Sequence, residues 1–213
     1  MESNWAVEHL QTIRTLMERS ALYRRALAPI MTYNGVIGTA AAILGWSLKI
    51  DSPRAFILYW AGVGVLALAG SLWLVRRQAL KEAEPFWSPP TRRVTQAFLP
   101  PLTAGLIVSA VAFAHVESAP YNLDNVLGML CLPVAWIVLY GCAFHAAGFF
   151  MPRGMKIFGW AFIVGGCGLL ALGIPDGIRR LDYAHGIMGL FFGVLHLAYG
   201  AYLYGTEQRK NAA

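Results

Sequence analysis

Charge is scarce in this sequence, and what there is stays out of the long apolar runs. Asp, Glu, Lys and Arg make up 13% of the 213 residues, against 57% hydrophobic, whereas soluble domains carry about 25% charged residues. Such a balance argues against an ordinary water-soluble enzyme. Cysteine is nearly absent: Cys131, Cys142 and Cys167 are odd in number, lie inside apolar runs and show no C-x-x-C spacing. No structural disulfide is expected from them, and small core residues are the simplest reading. H-E-x-x-H, G-x-S-x-G, Gly-rich phosphate loops and paired carboxylates are all missing, which removes the familiar hydrolase and nucleotide signatures. No metal site is expected either, because Cys142 and His145, on one helical face, supply only half the ligands of a closed zinc site.

What is present is six apolar runs of about 20 residues, the length an α-helix needs to cross a hydrocarbon core ~30 Å thick. They are Leu27–Leu48, Ala55–Val75, Ala97–Val116, Val126–Phe150, Ile157–Pro175 and Tyr183–Tyr204. Continuous rather than alternating hydrophobicity selects helices over a β-barrel, since a helix satisfies its own backbone polar groups in lipid. The expected fold is all-α: a polytopic membrane protein, a six-transmembrane-helix bundle over residues 27–204 with an N-terminal amphipathic interfacial helix over 1–26 and a cytoplasmic tail over 205–213. The charged N-terminal segment is too long for a cleaved signal peptide.

The net charge of +6 follows topology rather than a nucleic-acid partner. With the N-terminus inside, the cytoplasmic segments hold Arg14, Arg19, Arg24, Arg25, Arg76, Arg77, Lys81, Arg92, Arg93, Arg153, Lys156, Arg209 and Lys210, thirteen of the seventeen basic residues. The outer turns keep Lys49, Arg54, Arg179 and Arg180, and the outer segment from Glu117 to Asn125 has none. By the positive-inside rule, both termini are expected in the cytoplasm of a bacterial inner membrane.

Two cytoplasmic surfaces stand out. Leu10, Ile13, Leu16, Met17, Ala21 and Leu27 share one side of a helix, with Glu8, Gln11, Thr15, Glu18 and Arg19 opposite; such a helix lies in the headgroup layer or docks a protein partner. The 76–96 loop joins Arg76, Arg77, Phe86, Trp87, Arg92 and Arg93 around a Ser-Pro-Pro turn, a composition suited to an anionic membrane surface or a partner. Pro29 and the pair Pro100–Pro101 are placed in first helical turns, and Pro133 predicts a kink near Met129.

No Asp, Glu, Lys or Arg lies deep in any run, so histidine is the deep ionisable residue. On a helical wheel Gly186, Gly189, Gly193 and Gly200 form a small-residue face for helix packing, with His185 and His196 within ~20° of one another at its edge. Gly128, Cys131, Ala135, Gly141, Cys142, His145 and Gly148 form a similar side in the fourth run. His145 and His196 share one depth, and His115 and His185 another, the minimum for ligating two b-type haems. Helix-packing histidines without a cofactor are the simpler reading. The leading expectation is thus a non-enzymatic accessory or sensing component. A haem b electron carrier is one alternative, and a small transporter or channel, motivated by Thr32, Asn34 and Thr39, is another, though no internal repeat supports it.

The segments IRTLMERSALYRRALAP (Ile13–Pro29), FLPPLTAG (Phe98–Gly105), LYGCAFHAAGFF (Leu139–Phe150) and FGVLHLAYG (Phe192–Gly200) resemble a family of bacterial six-span inner-membrane proteins. That family is similar in its amphipathic IRxxMER helix, the proline pair in its third span and a Leu-His in its last. The resemblance runs along nearly the whole chain. It implies the six-span topology, a bacterial inner membrane and genes beside winged-helix regulators, and it carries over no catalytic residue. His145 and the Met151–Pro152 tract depart from the pattern.

Overall fold

The computed structural model describes residues 26–81, 83, 85–115, 123–151, 154–172 and 180–211. Among them every regular element is helical: α1 (Ala26–Ser47), α2 (Pro53–Lys81), α3 (Pro89–His115), α4 (Leu123–Ala147), α5 (Gly154–Leu172), α6 (Arg180–Met188) and α7 (Leu195–Asn211), with a π-helical turn, Gly189–Val194, fusing the last two. Five helices are long and apolar enough to cross a membrane: α1, α2, α3, α5 and the fused unit over Leu181–Thr206. α4 adds a shorter apolar stretch, Cys131–Ala147. The expected helix over 1–26 lies outside the described residues apart from Ala26.

Local chemistry explains where the helices begin and end. Ser52 caps α2, its Oγ accepting the Ala55 amide at 3.2 Å, with Pro53 in the first position, where its missing N–H costs nothing. α1 ends in a left-handed cap: the Ile50 amide donates to Gly45 O (3.1 Å) and the Lys49 amide to Trp46 O (3.2 Å), with Lys49 at φ 51°. α3 corrects the sequence expectation. It begins at Pro89, behind Ser88, whose carbonyl receives the Arg92 amide at 3.0 Å and whose hydroxyl meets Thr91 Oγ1 at 2.9 Å. The Ser-Pro-Pro read as a loop is a helix start, and Pro100 and Pro101 lie inside α3. There Thr103 Oγ1 donates to the carbonyls of Leu99 and Pro100 (2.9 Å each), so the helix passes the prolines with local help from a hydroxyl.

Packing sorts the helix ends into two sets. One buried cluster gathers Leu27, Ala28 and Met31 at the start of α1 with Phe144 at the end of α4, Met155 and Phe158 at the start of α5, and Leu203 of α7. A second gathers Ala41, Phe56, Trp60, Ala184 and Met188, from the end of α1 and the starts of α2 and the fused unit. Successive helices therefore run in opposite directions. Outward faces are apolar: from Ala61 to Gln78 in α2 and from Thr95 to His115 in α3 no side chain is buried. Leu106 of α3 and Val65 of α2 are 70% and 69% exposed, and apolar faces of this length are rare on soluble monomers and suit a membrane. Cys131 and Cys167, expected in the core, are exposed and Cys142 is half-buried. A Cys side chain is apolar enough to face lipid as readily as protein.

Because a side chain with a Cβ pays for left-handed geometry, Lys49→Gly is expected to raise the unfolding free energy by about 1 kcal/mol. Thermal unfolding of the detergent-solubilised protein reads this as a rise of a few degrees; an unchanged or lower midpoint contradicts the cap.

Candidate functional site

The fused unit carries the two fully buried histidines, and the π turn between them decides where each ring goes. A π turn holds about one residue more than an α turn, so positions beyond it lag by roughly 100°. The wheel that set His185 beside His196 assumed an unbroken helix. In the structure the two rings diverge. His185 (1% exposed) faces α2 and the end of α1, and His196 (1% exposed) faces α4 and α5.

α1 accommodates the wide turn because it presents glycine there. A Cβ at Gly38 would collide with the backbone of Phe192, and one at Gly35 would stand 2.6 Å from the Leu197 amide nitrogen. From the other side, Cβ atoms at Gly193 and Gly200 would meet Thr39 and Thr32, and one at Gly189 would meet Ala42. Three of the four glycines assigned to helix packing thus line the α1 contact. Gly186 does not: it is exposed, with open space where a Cβ would stand, since it precedes the π turn and is out of phase with Gly193 and Gly200. Thr32 and Thr39 turn their hydroxyls back onto Ala28 O (3.0 Å) and Gly35 O (2.8 Å), while Asn34 Oδ1 accepts from Ser71 of α2 at 3.2 Å. Asn34 thus ties α1 to α2, while the two threonine hydroxyls are satisfied within α1 itself.

His196 stands in a cage of five aromatic rings, Tyr140, Phe144, Phe158, Phe162 and Phe192, with centroids 5.1 to 6.4 Å away. Its Nδ1 lies 3.0 Å from Phe191 O. A carbonyl only accepts, so Nδ1 carries the proton, and in the neutral ring Nε2 accepts the Tyr140 hydroxyl at 2.9 Å. Return from i−5 to i−4 bonding leaves one main-chain carbonyl over, and His196 brings a donor to that region. Both ring nitrogens are occupied.

His185 is held differently. Trp60 Nε1–H donates to its Nδ1 at 3.2 Å, Phe56 meets it edge-on at 4.9 Å, and the ring fills the space left by Gly45, where a Cβ would stand 2.5 Å from Nδ1. Nε2 is sealed off without a hydrogen-bond partner among the described residues. Outside the ring runs an open groove of about 280 Å³ lined by Ala42, Ile43, Trp46, Asp182, His185 and Gly186. His145 is half-buried, edge-on to Trp160 (5.4 Å) and Phe149 (5.7 Å), and His115 is exposed with Nδ1 on Val111 O at 2.9 Å. Among the described residues no ring contact joins any two of these four histidines, and no group of three or more His, Cys, Asp or Glu converges on a metal position.

The 76–96 surface is basic. Arg76, Arg77, Arg92 and Arg93 are exposed, Arg77 lies over Trp73 at 5.4 Å, and Phe86 and Trp87 stand 6.4 Å apart with Trp87 59% exposed. Among the described side chains, Arg76, Arg77, Lys81, Arg92, Arg93 and Lys156 share this end of the bundle, and Lys49 and Arg54, with Asp51 and Asp182, share the other. Sequence reasoning found the glycines of the last span and missed their partners Gly35 and Gly38; the spacing in YNGVIGT was the available signal. It also missed Gly159, whose would-be Cβ stands 2.6 Å from the His145 backbone nitrogen where α5 crosses α4. Comparison of the chain with family models, curated proteins and solved structures gives no match.

Two substitutions separate the roles at these sites. Tyr140→Phe removes the hydroxyl that donates to His196 Nε2 and is expected to cost about 0.6 to 2 kcal/mol. Gly186→Leu, by contrast, is expected to stay within roughly 0.5 kcal/mol of wild type because its side chain enters open space. Thermal unfolding in detergent compares them, and equal destabilisation by both would refute the assigned packing.

Proposed function

We propose that the chain is a six-span protein of the bacterial inner membrane with both termini in the cytoplasm, acting as a non-enzymatic accessory or sensing component. The observation that carries this reading is how polar side chains lying wholly or partly inside the bundle are used. Thr32, Thr39, Asn34, Tyr140, Trp60 and His196 each bond to a neighbouring helix or to their own backbone. Groups committed to packing are not arranged to bind substrate or move protons. The haem alternative needs imidazoles that each keep one nitrogen free for iron, and both nitrogens of His196 are bonded.

Orientation follows from the concentration of cations at one end, which the positive-inside rule assigns to the cytoplasm. The N-terminal amphipathic segment is then the surface for a cytoplasmic or membrane partner. The six-span resemblance and its bacterial setting agree with this topology.

Reporter fusions at Met1 and Ala213 are expected to be active only in the cytoplasmic form. Deleting residues 1–25 is expected to release co-purifying partners while the bundle stays monodisperse. Reporters on opposite sides would defeat the topology, and full partner retention after the deletion would defeat the assigned role of the segment.

A further inference from the structure

α2 and α3 are longer than a hydrocarbon core requires. At 1.5 Å per residue, Arg76 lies about 34 Å along the axis from Pro53, and Arg93 lies about 33 Å before His115. Against a core of ~30 Å, the two arginine pairs therefore stand at the level of the lipid phosphates. Trp73 under Arg77 and the exposed Trp87 mark the same level, where indole rings concentrate. None of Arg76, Arg77, Lys81, Arg92 and Arg93 makes an ion pair among the described residues, and all five are exposed. Arginines gathered at one level repel one another, and taking an anion lowers that repulsion.

The surfaces below these cations are fitted to acyl chains. α2 packs on α1 and the fused unit through Tyr59, Trp60 and Ser71, and α3 packs on α4 through Phe98 and Ser109. The two helices make little contact with each other, although a short connection joins them. Each leaves an apolar face uncovered, with Leu66, Leu72 and Trp73 on α2 and Leu99, Leu102 and Leu106 on α3.

We propose that the basic ends of α2 and α3 bind an anionic phospholipid, its phosphate among Arg76, Arg77, Arg92 and Arg93 and its acyl chains along the uncovered faces of both helices. This deepens the reading above and rests on its placement of the basic end at a membrane surface. Charge complementarity and the continuity of cations with apolar helix faces select a lipid over an acidic protein, which would have no use for the faces below.

The test uses the full chain reconstituted into nanodiscs of phosphatidylcholine with a minor fraction of phosphatidylglycerol, followed by native mass spectrometry of the retained lipids. Phosphatidylglycerol is expected to be enriched about tenfold over its bulk fraction and to lose that enrichment in about 0.5 M salt. R76Q/R77Q/R92Q/R93Q is expected to return retention to the bulk ratio, with the pairs R76Q/R77Q and R92Q/R93Q each giving a partial loss. Lys49→Gln, at the opposite end, is expected to leave it unchanged. A wild-type ratio equal to bulk, or enrichment that survives the arginine substitutions, overturns the lipid site. A chain that does not enter the bilayer at all fails the membrane-spanning reading instead.

Discussion

The arrangement of the whole bundle depends on one close approach, that of the α1 backbone to the π turn in the last helix. Gly35 and Gly38 let main chain meet main chain around Phe192 and Gly193, and any Cβ there would collide. In lipid the hydrophobic effect does not drive helices together, so contact of this closeness supplies the dispersion energy that holds them. The wide turn in return directs two consecutive aromatic side chains inward. Phe191 meets Phe162 of α5 at 5.4 Å and Phe192 meets Tyr140 of α4 at 5.0 Å.

The rotation introduced by that turn gives the two buried histidines separate functions in the architecture. His196 links α4, α5 and α7 through one bond to Tyr140 and contacts with the phenyl rings, and its other nitrogen serves the backbone of the π turn itself. His185 links α2 to α6 and packs against Gly45 of α1. A single continuous helix would have placed both on one edge and left one of these junctions without a polar tie. The cost of interrupting the helix is thereby offset by two specific interhelical contacts.

The fold class was legible in the sequence because a run of about 20 apolar residues has few structural meanings. The start of α3 was not legible: Ser88-Pro89-Pro90-Thr91 opens that helix well before hydrophobicity rises. A cap speaks through three or four residues, whereas the hydropathy signal averages over about twenty. The packing glycines were legible through G-x-x-x-G spacing, with the exception of Gly186. The π turn was not legible: nothing in GLFFGV departs from helical composition, and what creates the turn is the opposing surface of α1. The one-residue change of phase then separated His185 from His196, which the unbroken wheel had set on one edge of the glycine face.

Polar chemistry in this molecule is divided by depth. Among the described residues Thr39, Trp60, Tyr59, Tyr140 and His196 bond within the fold, while the Nε2 of His185 and the Nδ1 of His145 are buried without a partner. At the basic end the guanidinium groups of Arg76, Arg77, Arg92 and Arg93 are exposed, Arg77 lying over the Trp73 ring. An unpaired buried nitrogen costs free energy only within the fold, but an unpaired arginine cluster at headgroup level acts on its surroundings, because its field extends about 8 Å in physiological salt. The surface we propose for recognition outside the bundle is therefore the arginine-bearing edge of α2 and α3, while His196, one of the residues that look most like chemistry in the sequence, has both ring nitrogens engaged within the fold.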